Sequence, residues 1–272
     1  MLHAGGPSGR RAPQTGFVEL DPHDEGPLNR LLEQAPYENV FFFANLQVYG
    51  WRHPDVTHWG MHDRAGQLRA AVGRRGTNYL VFDPAHAYAT EAAALLNEQP
   101  AISSINGIWS QTHPVIARIT GTDLVVHPEH FCTLPLGTAL PEAPAYVRNA
   151  TLDDVDALTR HYNSGETRRD RSSVQRTVQT ERVYIAEVDG YVYSSLVVVG
   201  PTRHAGLIVA VLTAASARGR GYATACVTAA SRDLLAANRV PCLFWRNPVA
   251  GRVYARIGFR KICDWLLSQR RS

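Results

Sequence analysis

The feature that most restricts the fold of this chain is a junction between an apolar run and a helical pattern. Residues 205–213, AGLIVAVLT, form an uncharged run of strand type, and residues 221–238 carry apolar side chains at helical spacing. Between them lies the stretch RGRGYAT, residues 218–224. A strand that passes into a helix through a turn of small and basic residues predicts a binding site for an anion.

This prediction follows from the electrostatics of a helix start. The first four backbone N–H groups of a helix have no partner within the helix, and about half a positive charge is concentrated there. Small residues at alternate positions of the turn let a pyrophosphate approach these groups, and arginines stand where helix-stabilising acids are usual. The residues of the turn are Arg218, Gly219, Arg220, Gly221, Tyr222, Ala223 and Thr224.

The length of the chain and one proline-rich stretch predict two domains. The chain has 272 residues, which exceeds the usual size of a single domain. Residues 135–145, PLGTALPEAPA, interrupt the patterning with three prolines and a glycine. We therefore predict a disordered leader at residues 1–15, an N-terminal domain at residues 16–137, a linker at residues 138–145 and a C-terminal domain at residues 146–272.

Charge and cysteine content argue against several classes of function. The 28 basic and 24 acidic residues give a net charge of +4, which is too small to predict nucleic-acid binding. No apolar run reaches the roughly 20 residues that span a bilayer, so we expect no membrane association. The four cysteines form no CxxC pair, which argues against a metal site and favours reduced, buried thiols in a cytoplasmic protein.

The order of elements in the second half predicts an α+β fold. A short strand precedes a helix capped by Thr151, and a hairpin turns at Asp189 and Gly190. The apolar strand, the long helix and a buried strand, PCLFW, follow, and the last helix begins at Pro248 and ends at Gly258. This order mixes antiparallel and parallel connections, which is typical of α+β domains.

The first half echoes this order only loosely. Residues 26–36 and 38–50 have helical or mixed patterns, and residues 58–82 have the pattern of paired strands. An alanine-rich helix at residues 85–99 then precedes a strand at residues 102–110. We find no repeat at the level of individual residues.

Two motifs in the second half resemble those of the GNAT superfamily of acyl-CoA-dependent N-acyltransferases. The pattern R-x-x-G-x-A at residues 218–223 resembles the acyl-CoA-binding signature Q/R-x-x-G-x-G/A, and it follows an apolar strand as in the family. The segment NPVAGRVYARIGF, residues 247–259, resembles a second family element in the same order. The whole chain is similar to bacterial tandem GNAT proteins, in which a degenerate N-terminal copy precedes an active C-terminal copy, so the resemblance implies two GNAT-like mixed-sheet domains.

The resemblance also implies a co-substrate, acetyl-CoA or another acyl-CoA, and no metal. The pantetheine arm would lie along the strand at Val211, Leu212 and Thr213, and the pyrophosphate would lie on the amides of the RGRGYAT turn. Backbone N–H groups near Val211 would polarise the thioester carbonyl. Asn247 would contact the coenzyme or order the start of its helix.

For catalysis the resemblance implies that Tyr254 contacts the coenzyme and protonates the departing thiolate. The alternative is that Tyr254 is an ordinary packed aromatic. Tyr254 lies one position off the predicted apolar stripe of its helix, Val249, Val253 and Ile257, and this position favours the catalytic role. Many family members use a glutamate on or beside the central strands as the base, but residues 205–213 contain no acid. The nearest candidates for the base are Glu187 and His204, each of which is also compatible with an ordinary surface or hairpin role. If a water molecule relays the proton, or if the acceptor amine has a low pKa, the transfer needs neither residue.

The resemblance leaves the acceptor open. The connection at residues 164–176 holds four arginines that either recognise an acidic acceptor or form a solvated helix face, namely Arg168, Arg169, Arg171 and Arg176. The first half lacks the signature, because its nearest matches end in Arg52 and Asp123, and we expect it to serve as a scaffold or to shape the acceptor site.

Two classes of function follow from these observations. The first is an N-acyltransferase that moves an acetyl or longer acyl group to a primary amine of a small or amino-acid-like acceptor, as a monomer or homodimer. The second is a non-catalytic acyl-CoA sensor or partner-binding module, which the missing acid on the central strand favours.

Overall fold

The computed structural model describes residues 16–164 and 168–271, and these form two compact units. Unit 1 comprises the described part of Met1–Ala35 together with Tyr49–Pro128 and Trp265–Ser272. Unit 2 comprises Pro36–Val48 and Glu129–Asp264. The leader predicted at residues 1–15 lies outside the described residues.

Unit 1 combines three helices with a mixed sheet. Its elements are β1 (Val18–Glu19), α1 (Glu25–Leu32), β2 (Val56–His62), β3 (Leu68–Arg75), β4 (Asn78–Phe82), α3 (Ala89–Asn97), β5 (Ser104–Ile108), α4 (Trp109–Ile116) and the end of β12 (Arg260–Arg270). The strand order is β1-β2-β3-β4-β5-β12, and only β4 and β5 are parallel. Tyr79, Leu96 and Ile105 are buried at the centre of the core beneath α3.

Unit 2 has the same kind of sheet with helices on both faces. Its elements are α2 (Val40–Tyr49), the end of β6 (Leu124–Thr133), β7 (Val147–Asn149), α5 (Val155–Asn163), α6 (Arg171–Thr180), β8 (Arg182–Val188), β9 (Tyr191–Val199), β10 (Ala205–Thr213), α7 (Tyr222–Ala236), β11 (Val240–Trp245) and α8 (Pro248–Ile257). The strand order is β6-β11-β10-β9-β8-β7, and only β10 and β11 are parallel. One core lies under α7 and α8, and a second lies under α5 and α6.

The two halves of the chain repeat one order of elements. From β1 to β6 the order is one strand, two helices, three strands, a helix, a strand, a helix and a strand. The same order runs from β7 to β12. The predicted α+β fold with two GNAT-like mixed-sheet halves is therefore confirmed. The loose echo in the sequence becomes an element-by-element repeat in the structure.

The compact units cross the linear boundary that the sequence predicted at residues 138–145, and that boundary stays a prediction. Residues 36–48 precede it but belong to unit 2, and Trp265–Ser272 follow it but belong to unit 1. Patterning along the sequence does not reveal such exchanges, because it reports local periodicity and not the partner of a strand or helix. The sequence also gave no indication of α4, whose interior holds Pro114, or of β6.

Local start and stop signals are read correctly. Thr151 caps a short 3-10 turn that leads into α5, and Asp154 completes a capping box with it. Gly258 ends α8 in the left-handed region with φ of 113°.

The four cysteines are free, three of them buried and Cys263 partly buried, as predicted. Within residues 16–164 and 168–271 no helix combines the length and the apolar character that crossing a bilayer requires.

Candidate active site

The turn between β10 and α7 has an open backbone. Gly219 and Gly221 have φ of 78° and 85°, in the left-handed region that favours glycine. A Cβ atom at either position would meet nothing within 4 Å, so the backbone conformation requires glycine here although space does not. The turn is therefore accessible from outside.

Among the residues that the structure describes, none caps the start of α7. Gly221 is the N-cap residue, and no described side chain accepts a hydrogen bond from the first turn. Within the described parts of the chain, no hydrogen bond is made by the backbone N–H groups of Tyr222, Ala223 and Thr224. By contrast, Asn247 caps α8, because its Oδ1 accepts a hydrogen bond of 2.9 Å from the Val249 amide. The α7 amides can thus bind an external anion.

The charge at this end of α7 is positive. Arg218 and Arg220 are exposed, and neither forms an ion pair with another described residue. The first turn of α7 holds no acid, although acids stabilise that position in most helices. An anionic group bound at the turn would neutralise both arginines and the helix start.

Next to this turn, β10 and β11 separate. Their parallel pairing runs only from Ala205↔Val240 to Ile208↔Leu243, whereas β10 continues to Thr213. A bulge follows at Ala210, whose φ is 52°, and β9 pairs with the opposite edge of β10 at Leu212 and Thr213. Among the described residues, the edge of β10 that faces β11 therefore has no strand partner beyond Ile208. The two strands leave a gap there, in which an extended ligand can pair with β10.

Tyr254 lies in the core of unit 2 beneath α8. It is 7% exposed, and the same buried cluster includes Ile208 and Leu243, the last paired residues of β10 and β11. Its hydroxyl makes no hydrogen bond to the described residues, and burial raises its pKa to about 12. The phenol therefore keeps its proton at neutral pH, as a general acid must.

The predicted apolar stripe of α8 is wrong in one respect. Val249 is 59% exposed, and the buried face consists of Gly251, Tyr254 and Ile257. The reason is close packing, since a Cβ at Gly251 would lie 2.9 Å from the Trp245 ring. Tyr254 is thus on the buried face.

The structure places Glu187 and His204 away from the gap. Glu187 lies on β8, which β9 separates from β10, and its carboxylate accepts hydrogen bonds from Arg148, one of them 3.0 Å long. His204 precedes β10, at the end opposite the bulge, and its ring packs 4.9 Å from that of Phe43. Neither residue is brought next to Tyr254 by these contacts, and their catalytic roles stay predictions.

The arginine-rich connection is mostly engaged within the protein. Arg171 pairs with Asp156 at 2.7 Å, and Arg169 lies 4.9 Å over the Tyr162 ring. Arg168 donates to the Asn163 carbonyl, whereas residues 165–167 of this stretch lie outside the described residues. These contacts fit the solvated helix face better than a dedicated acceptor site.

The equivalent position in unit 1 is closed. There β4 and β5 stay paired as far as Val81↔Gly107, one residue before β4 ends. The carboxylate of Asp83, which is 3% exposed, accepts a 2.8 Å hydrogen bond from the Tyr88 amide at the start of α3. A carboxylate of the protein therefore lies where unit 2 leaves room for an anion. The sequence shows this only as a missing glycine signature.

Comparison with known proteins agrees with this geometry. Residues 194–266, which include the gap, the turn and α8, match the family model described as FR47-like protein. No curated protein matches the chain.

Several solved structures resemble the chain over most of its length. A Drosophila protein has 12% identity and a TM-score of 0.65, with 94% of this chain and 98% of that chain covered. A GNAT-family acetyltransferase from Colwellia psychrerythraea has 11% identity and a TM-score of 0.56, with 94% and 99% covered. A tandem GNAT protein from the clavulanic acid biosynthesis pathway has 14% identity and a TM-score of 0.55, with 93% and 98% covered. The resemblance to the GNAT superfamily is confirmed at the level of the fold, which consists of two GNAT-like halves in tandem.

Proposed function

We propose that this chain is an acyl-CoA-dependent N-acyltransferase, which moves an acetyl or longer acyl group to the primary amine of a small or amino-acid-like acceptor. One observation carries the proposal: in unit 2 the free edge of β10 leads into a glycine turn whose amides have no partner among the described residues. The likeness of the fold to acetyltransferases supports it.

The residues of unit 2 fit an acyl-CoA co-substrate. The backbone of Val211, Leu212 and Thr213 offers a free strand edge to the amide-containing pantetheine arm. The amides that open α7 and the exposed side chains of Arg218 and Arg220 offer hydrogen bonds and positive charge to phosphates. The co-substrate supplies an activated thioester.

Chain residues then assist the transfer. We propose that backbone N–H groups at the bulge around Val211 stabilise the negative charge on the carbonyl oxygen. Tyr254 donates its phenolic proton to the departing sulfur, and its membership of the same buried cluster as Ile208 and Leu243, the last pair of β10 and β11, supports this role. The helix cap of Asn247 fixes the start of the helix that carries Tyr254.

The alternative is an acyl-CoA-binding protein without catalysis. It is favoured by β10, which carries no acid from Ala205 to Thr213. The two functions differ in one measurement, because both predict thermal stabilisation by acetyl-CoA but only the enzyme releases free CoA when amines are supplied. We also propose a cytoplasmic location, in keeping with four free thiols.

The test is Tyr254→Phe, assayed by release of free CoA with a panel of primary amines. We expect kcat to fall by about 100-fold or more, which is the low end for loss of a general acid, with unchanged affinity for acetyl-CoA. The matched control is Tyr191→Phe, since Tyr191 is 69% exposed on β9. Full activity in Tyr254→Phe would remove the acid role, and stabilisation without CoA release by the wild-type protein would favour the sensor.

A further inference from the structure

The residues of β11 next to the gap between β10 and β11 point to both faces of the unit 2 sheet. Side chains alternate along a strand, so consecutive residues of β11 point to opposite faces. Leu243 belongs to the core under α7 and α8. Phe244 therefore points to the other face, where its ring stacks on Phe41 of α2 with centroids 6.2 Å apart and planes 6° apart.

This stack brings the start of α2 to the gap. Phe244 is the first residue of β11 beyond the last pair with β10, and the stacked Phe41 lies in the first turn of α2. Glu38 precedes Phe41 by three residues and lies in the turn that leads into α2 at Val40. In this segment the Val40 amide donates to the Tyr37 carbonyl and the Phe43 amide donates to the Asn39 carbonyl. The end of α2 that stacks on Phe244 therefore lies about one turn from a carboxylate.

The surroundings of Glu38 agree with this location. Burial raises the pKa of the Cys242 thiol on β11, and the negative charge of Glu38 raises it further. The same two causes, burial first, contribute to a pKa of about 12 for Cys263 on β12. The charge of Glu38 thus acts on the thiols of Cys242 and Cys263, both of which are protonated at neutral pH. Burial also raises the pKa of the Glu38 carboxyl itself.

Another carboxylate on this face is already engaged. Phe131 of β6 packs against Phe244, with ring centroids 4.7 Å apart, so Glu129, two residues earlier on the same strand, points to the same face. Glu129 pairs with Arg246 at 3.8 Å. No ion pair of Glu38 with any other described residue is formed.

We propose that Glu38 is the general base of the proposed N-acyltransferase, supplied by the N-terminal half of the sequence to the transfer site of unit 2. The inference rests on the proposed function. It explains why β10 itself needs no acid, and it gives the segment at residues 36–48 a catalytic task.

In the proposed step the acceptor arrives as an ammonium ion. A Glu38 oxygen takes one proton, and the uncharged nitrogen then attacks the thioester carbonyl carbon, forming the C–N bond. The C–S bond breaks, Tyr254 gives its proton to the sulfur, and the second proton that the nitrogen loses returns to Tyr254. The products are an amide, the CoA thiol and one proton, which Glu38 releases to solvent. Base and acid thus act from opposite faces of the sheet.

The same geometry indicates the class of acceptor. Phe41 and Phe244 are both partly exposed, and Phe244 is the first residue of β11 beyond its last pair with β10. A cationic amine on an apolar or aromatic body matches this surface, because the carboxylate binds the ammonium group and the rings contact the body. An acceptor with a carboxylate beside its amine would be repelled by Glu38.

The experiment compares Glu38→Gln, Glu38→Asp and the control Glu142→Gln, which changes an exposed glutamate of the same unit. With acetyl-CoA and an arylalkylamine such as phenethylamine, we expect Glu38→Gln to lower kcat by about 100-fold, as is typical for loss of a general base. We also expect Glu38→Gln to remove the acidic limb of the pH profile of kcat/KM, and Glu38→Asp to retain that limb at reduced rate. The acetyl-CoA affinity should be unchanged, and the Tm at pH 7 should not fall, because the substitution removes a partly buried charge.

The outcomes separate this inference from the proposed function. Wild-type kcat and an intact acidic limb in Glu38→Gln would overturn the inference alone. Loss of activity together with a lower Tm and weaker acetyl-CoA binding would also overturn it, since a structural role would then explain the effect. Failure of the wild-type protein to release CoA with any amine would overturn the proposed function, and the inference with it.

Discussion

The substitution Gly221→Ala tests the anion-binding turn directly. Gly221 has φ of 85°, and an added Cβ would meet no atom of the protein within 4 Å. The substitution therefore introduces backbone strain without a clash, at a cost of about 1–2 kcal/mol for a residue other than glycine in the left-handed region. Gly137→Ala is the matched control, because Gly137 has φ of 79°, is equally open and lies in the linker stretch at residues 135–145. Both variants should lose similar stability in the absence of ligand.

The two variants should differ once acetyl-CoA is added. At a ligand concentration of 100 Kd, binding stabilises the folded protein by about 2.7 kcal/mol. If the methyl group at residue 221 weakens phosphate binding 100-fold, that gain falls to about 0.4 kcal/mol, whereas Gly137→Ala keeps it whole. Thermal or urea unfolding with and without acetyl-CoA measures the difference. An undiminished gain in Gly221→Ala would refute the assignment of the phosphates to this turn.

Two further predictions concern stability. Asp83→Ala should lower the free energy of unfolding by about 1–2 kcal/mol, because the hydrogen bond to the Tyr88 amide is lost. Calorimetric titration of this variant should still give one acetyl-CoA per chain, because β4 and β5 leave no gap in unit 1. The Arg148 guanidinium lowers the pKa of Asp154 in the folded protein. The ion pair therefore stabilises the fold fully above the pKa of Asp154 in the unfolded chain, about 4. This stabilisation is lost as the pH falls through the lower pKa of the folded state. Arg148 is 42% exposed, so Arg148→Met should lower the free energy of unfolding by only about 1 kcal/mol at pH 7. Urea unfolding should show a smaller difference between variant and wild type at pH 3 than at pH 7.

Some features of the site could be read before the structure because they are chemically local. The glycines of the RGRGYAT turn, the stop at Gly258 and the hairpin at Asp189 and Gly190 each depend on the conformational freedom of one or two residues. Such requirements are visible in the sequence wherever they occur. The buried face of α8 was misread because the contact of Gly251 with Trp245 joins different elements.

The amino-acid sequence alone determined the order of most helices and strands and the turn that can bind an anion, since periodicity and glycine conformation act over a few residues. The tertiary structure decided what surrounds that turn. It separated β10 from β11, closed the corresponding turn of unit 1 with Asp83, and stacked Phe41 of α2 on Phe244 of β11. These arrangements depend on the pairing of strands and the packing of rings distant along the chain, whose free energies no local pattern contains.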